Sequence, residues 1–203
     1  KELEGQPEVE ASIRTILGNA FRSLAFYDEA LVHHERSLDI RLELFGPDHP
    51  DVADSYAYIG LGHQHKGDYD KALEYFEKAL VIILKQVGTN DERVANLYNS
   101  IGLTYDYDGE YDKALENHQK SLTIKMKVFD EDHPDVATSY NSIGLVHSDK
   151  GEYDQALEYY QKALAIFLKK LGADHPHVAA SYNNIGSVHS DKGEYDQALE
   201  YFQ

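Results

Sequence analysis

The sequence predicts an all-α solenoid of stacked antiparallel helix pairs, and three observations carry that reading. Val52, Val94, Val136 and Val178 recur every 42 residues, each followed by Ala (Ala53, Ala95, Ala137, Ala179). Pro and Gly fall at fixed places within the period, where helices are expected to begin and end. Nowhere is there the two-residue alternation or the turn chemistry of a β-hairpin. Setting Ala11, Ala53, Ala95, Ala137 and Ala179 as first residues gives a single array over 1–203, with units of about 11–52, 53–94, 95–136, 137–178 and an incomplete 179–203.

The first helix of each unit follows three-and-four spacing, as Ala137, Tyr140, Ile143, Gly144 and His147 do in the fourth. Its start is marked by Pro50, Pro134 and Pro176, since a proline in the first turn forfeits no helical hydrogen bond. The third unit lacks that Pro and has Asp91 where the others have His49, His133 and His175; Asp is the stronger N-cap of the two residue types. Gly67, Gly109, Gly151 and Gly193 close the first helix, and an acidic residue followed by Tyr opens the second. That second helix carries Ala72, Phe76, Ala79 and Ile82 on one face. Glu74 with Lys78 form an outward i,i+4 pair, repeated by Glu116 with Lys120 and Glu158 with Lys162. Gly46, Gly88 and Gly172 then stand where a left-handed cap and a loop of about eight residues are expected, with Asp130 in that place once.

Gly60, Gly102, Gly144 and Gly186, with the Ala at the twentieth place, are expected to let the two helices approach closely while aromatic residues fill the seam between pairs. The first unit departs most, with Arg14 in place of Tyr and Ala25-Phe26 in place of Gly plus acid. No unit has a closed core of its own, so stability is expected from neighbouring units.

Tyr56, Ile59, Gly60, Ala72, Phe76 and Ala79, and again Tyr140, Ile143, Gly144, Ala156, Tyr160 and Ala163, resemble the helix-packing signature of the tetratricopeptide repeat. Tyr stands where many repeats have Trp, and a longer second helix replaces the usual terminal Pro. The 42-residue period with its PDHPDVA loop is similar to kinesin light chain and nephrocystin-3. The resemblance implies a tetratricopeptide-repeat α-solenoid, a right-handed superhelix whose first helices line a concave face, and a non-catalytic protein–protein interaction role. Kinesin light chain further implies cargo-adaptor work in which basic residues hold acidic peptides containing Trp or Tyr.

On that concave face the second, fifth, ninth and twelfth places of each unit are expected to point inward. A column of amides, Asn99, Asn141 and Asn183, offers donors and acceptors together and suits the backbone of an extended peptide whatever its side chains. Leu61, Leu103 and Leu145 beside it would supply shallow apolar pockets, and Asn96, Asp106, Thr138, Ser148 and Ser190 complete the candidate peptide-binding set. Asp54 and Asp106, with Asp149 and Asp191 at the margin, face only Arg22 as a base, so the expected ligand is a neutral or basic extended segment of a protein or peptide partner, not an acidic one.

Composition narrows the alternatives. The chain has 36 Asp plus Glu against 19 Lys plus Arg, a formal net charge of −17. Its scattered cations argue against nucleic acid and against anionic membrane as partners. The longest apolar run, Ala79 to Leu84, is far short of the roughly 20 residues a membrane span needs. With no Cys, the expectation is a cytoplasmic protein without disulfides or thiolate metal sites. The eleven His, including His33-His34, His175 with His177 and the column His63, His147, His189, are read as packing or capping residues, because a helix-pair spacing of about 10 Å holds no zinc between repeats. Gly60-Leu61-Gly62 lies inside a helix and is no dinucleotide loop. No cofactor or metal and no enzymatic activity is therefore expected. The rival to peptide binding is a structural module that stacks end to end on copies of itself as a homo-oligomer.

Overall fold

The structure is a computed structural model that describes residues 5–202. Among these residues there are ten α-helices and no strand. The chain divides into two compact units, residues 1–89 and 90–203. The first holds α1 (Pro7–Ser23), α2 (Tyr27–Phe45), α3 (Pro50–Lys66) and α4 (Tyr69–Val87). The second holds α5 (Glu92–Tyr107), α6 (Tyr111–Val128), α7 (Pro134–Asp149), α8 (Tyr153–Leu171), α9 (Pro176–Asp191) and α10 (Tyr195–Tyr201). Within each, successive helices pack as pairs: α1 on α2 and α3 on α4 in the first, then α5 on α6, α7 on α8 and α9 on α10 in the second. The second helix of one pair also packs on the first helix of the next, α2 on α3, α6 on α7 and α8 on α9.

Close approach within a pair comes from one recurring device. A Cβ added to Gly60 would fall 2.9 Å from the Phe76 ring, and one added to Gly144 would fall 2.9 Å from the Tyr160 ring. Gly186 faces Phe202 in the same way. In the remaining pairs Gly18 faces His34 and Gly102 faces His118, so imidazole takes the place of the aromatic ring twice. The ring therefore fills the space within the pair as well as the seam to the next, where Tyr160 meets Ile185 and Val188 of α9. The period markers Val52, Val94, Val136 and Val178 are fully buried, as are Ala30, Ala72, Ala114 and Ala156 of the second helices.

The helix ends differ from expectation in three ways. Gly46, Gly88 and Gly172 have φ of 81°, 75° and 84° but ψ of 171°, −165° and 163°. They are extended in the mirror region that only Gly enters readily, not left-handed helical caps. The loops are shorter than expected, residues 46–49, 88–91 and 172–175, because the next helix begins two residues before the marker Val, at Pro50, Glu92 and Pro176. At α6 Phe129 ends the helix with ordinary extended angles (φ −120°, ψ 164°), so Asp130 needs no positive φ. His49, His133 and His175 also prove to be caps in their own right. Each Nδ1 accepts the N–H two residues on, at 3.2 Å, as the Asp91 carboxylate does from Arg93 at 2.9 Å.

Candidate functional site

The residues expected to face inward fall mainly on α5, α7 and α9. Three-and-four spacing puts Asn96, Asn99, Leu103 and Asp106 on one face of α5, Thr138, Asn141, Leu145 and Ser148 on the matching face of α7, and Asn183 and Ser190 on α9. Leu61 lies on α3, in the other compact unit, and is half-buried.

The three column amides are not equivalent. Asn99 Oδ1 lies 3.1 Å from His118 Nδ1, and since an amide oxygen only accepts, that ring nitrogen carries the proton. Burial, and then the Lys125 charge, lower the His118 pKa to about 4, so the ring is neutral near pH 7. Asn141 Oδ1 accepts from Asn184 Nδ2 at 3.0 Å, which ties α7 to α9 through a residue one place beyond the expected Asn183. Asn183 itself is exposed. Asn99 and Asn141 thus each spend the carbonyl inside the fold and leave the NH2 group to donate.

Leu103 and Leu145 are half-buried beside these amides, as are Ser148 and Ser190, while Asn96 is exposed. The Thr138 hydroxyl donates back to Pro134 O at 3.1 Å and caps its own helix turn. Asp106 is only 6% exposed, and its Oδ1 has no hydrogen-bond partner. Burial, and then the neighbouring Asp149 charge, push its pKa up to about 6. Asp149 is exposed on α7, and partial desolvation there also raises its pKa. The Tyr160 phenol of α8 is raised by burial, then by Asp149 and Asp106, so three acidic groups from three helices share one neighbourhood. Tyr160, His118 and Asn184 escaped the sequence reading as site residues, and Asp149 was placed only at the margin of the groove. A period shows which residues recur, not which side chains meet across helices.

The histidine column has a structural role. His147 stacks on Tyr159 with ring centroids 5.4 Å apart, and its Nδ1 lies 2.6 Å from Glu152. His189 does the same with Tyr201 and Glu194, and His63 with Tyr75 and Asp68. The first pair inverts this contact, with Phe21 on α1 stacked on His33 of α2. His34 is buried against Tyr58 of α3. Burial, then the Arg22, His33 and Arg41 charges, hold its pKa down at about 4. Among the described residues no three His, Asp or Glu side chains converge as metal ligands, and no helix is long and apolar enough to cross a membrane.

Paired helices that repeat every 42 residues, with a Gly-to-ring contact in each pair, define a helical repeat scaffold. The sequence profile of the tetratricopeptide repeat matches residues 9–82, 55–127, 93–169 and 135–203, and the chain belongs to that family. Among solved structures it is similar to a kinesin-light-chain-type protein of Podosopora anserina with nearly identical repeats (20% identity, 96% of this chain and 92% of that one, TM-score 0.80). BtubC from P. vanneervenii is also similar (20% identity, 97% and 88% covered, TM-score 0.70). So is a Rap protein complexed with Competence and Sporulation Factor, of which this chain covers 52% (18% identity, 95% of this chain, TM-score 0.78). A comparison with curated protein sequences finds no match. The chain is a tetratricopeptide-repeat protein resembling kinesin light chain, and such repeats are protein-interaction scaffolds, generally without catalytic activity.

Proposed function

We propose that the face formed by α5, α7 and α9 binds an extended segment of a protein partner, neutral or basic in charge. The observation that carries this reading is the pair of amides, Asn99 and Asn141, whose carbonyls are fixed by His118 and Asn184. A fixed carbonyl orients the remaining NH2 toward a ligand carbonyl at little entropic cost, which suits backbone recognition independent of sequence. Half-buried Leu103 and Leu145 supply apolar contacts, and Asn96, Asn183, Ser148 and Ser190 supply polar ones. Asp106 and Asp149 disfavour an acidic ligand. Kinesin-light-chain-type structures among the similar folds support an adaptor role of this kind, and the acidic, cysteine-free composition suits the cytoplasm.

The test is selection of 12-residue peptides from a displayed random library on the wild-type protein, with affinities remeasured on Asn99→Ala/Asn141→Ala/Asn183→Ala. Selected peptides should lack net negative charge and lose roughly tenfold or more, as expected when several hydrogen bonds are removed. Acidic peptides that bind both proteins equally contradict the proposal.

A second reading is supported by α1. Val9, Ile13, Ile16 and Leu17 form an exposed apolar stripe on that helix, with Ile16 66% exposed. Such a stripe favours end-to-end association with a second copy. Sedimentation across a hundredfold concentration range decides between them: a constant monomer mass eliminates self-association.

A further inference from the structure

We propose that Asp106 and Asp149 form a receptor for one cationic side chain, the guanidinium of Arg or the ammonium of Lys, carried by the bound segment. The inference rests on the binding face proposed above and adds the chemistry of one ligand position to it.

Asp106 is more than nine-tenths buried and its Oδ1 meets no donor. The twelfth place of the other units holds Arg22, Gln64, Ser148 or Ser190, so the repeat does not require an acid there. Every charged group bearing on Asp106 is unfavourable to a carboxylate. Asp149 on α7 is a like charge, and the Tyr160 phenol on α8 sits in the field of both acids. Lys150, which follows Asp149 in the chain, is held 2.9 Å from Asp112 and 3.2 Å from Glu152. On α6, His118 is neutral and turned to Asn99, and on α9 the repeat equivalent of Asp149, Asp191, is an acid exposed as Asp149 is. The fold thus holds two carboxyl groups near each other, unneutralised, on the ligand-facing side of α5 and α7.

A metal ion suits the arrangement poorly, since no third carboxylate or imidazole joins the pair among the described residues. A planar guanidinium or an ammonium needs only two acceptor groups and their charge. Because Asp106 is protonated below about pH 6, cation capture should weaken on acidification through that value and hold at neutral pH. Asp149 follows in the same direction, its carboxyl being raised as well.

The test follows the carboxyl carbons of Asp106 and Asp149 by NMR on the whole chain during titration with Nα-acetyl-arginine amide. Nα-acetyl-citrulline amide, which has the same shape and no charge, is the control. The arginine compound should shift both carbons and lower the Asp106 titration midpoint by roughly one pH unit, as an opposite charge does to a neighbouring carboxyl. Citrulline should do neither, and Asp149→Asn should weaken the arginine effect several-fold; if that variant does not fold, loss of the effect in wild type at pH 5 takes its place. Equal responses to the two compounds, or an unmoved Asp106, overturn the inference. Should Asp106 stay silent while library peptides still depend on the asparagines, the receptor fails and the binding face stands. The reverse pattern removes the binding face and keeps a cation site.

Discussion

Ala25 holds φ at +62°, the one non-glycine with positive φ among the described residues, in the place that Gly67, Gly109, Gly151 and Gly193 fill in the later units. An L-residue pays about 1–2 kcal/mol there, so Ala25→Gly should raise stability by roughly 1 kcal/mol after the added freedom of the unfolded chain is subtracted. Urea unfolding measures it, and no gain would show the strain to be relieved locally. Asp106 is the second residue kept at a cost. Its folded pKa of about 6 lies above the ordinary carboxylate value, so folding is favoured when the group is protonated and loses that advantage as pH rises from about 4 through 6. Asp106→Asn should therefore stabilise the protein at pH 7, on the order of 1–2 kcal/mol, and lose its advantage near pH 4. Equal effects at both pH values would mean that the carboxyl is solvated.

Each helix pair is held by a glycine against a ring, and the substitution that tests this is Gly144→Ala. A Cβ 2.9 Å from the Tyr160 ring forces the ring or the helix to move, at about 1–3 kcal/mol despite the better helix propensity of Ala. Thermal unfolding should show the loss, and Gly144→Ala combined with Tyr160→Leu should recover part of it. A neutral or stabilising single variant would show that the close approach is not required. The glycines were legible because a small residue recurred at a fixed place. Two of their partners were hidden, because His34 and His118 read as polar residues although they sit where Phe76 and Tyr160 sit. The helix breaks were legible for the same reason, yet the angles of Gly46, Gly88 and Gly172 were not, since glycine announces a positive φ without fixing ψ. Asn99, Asn141 and Asn183 were legible as a column. Their different fates depend on His118 and Asn184, and such contacts are set by packing between helices that no period encodes.

Across the whole molecule, stability is a sum of contacts between neighbouring helices, and each compact unit holds an imidazole buried almost completely, His34 in the first and His118 in the second. His34 and His118 both have pKa values lowered to about 4, so they favour folding above the ordinary histidine value and oppose it as pH falls below about 6.5. Thermal midpoints should drop between pH 7 and pH 4.5, and His34→Phe, which uses the ring found at Phe76, should remove part of the drop in the first unit. A midpoint independent of pH in wild type would contradict neutral buried histidines. The acidic surface and the repeat architecture leave binding as the property to be measured directly. Leu103 and Leu145 methyl groups report on the face of α5 and α7, and exposed Leu168 of α8 and Leu199 of α10 report on positions outside it. With a library-selected peptide added, methyl NMR should show Leu103 and Leu145 shifting at the same dissociation constant while Leu168 and Leu199 stay in place. Shifts confined to Leu168 and Leu199 would put the ligand elsewhere and contradict the account.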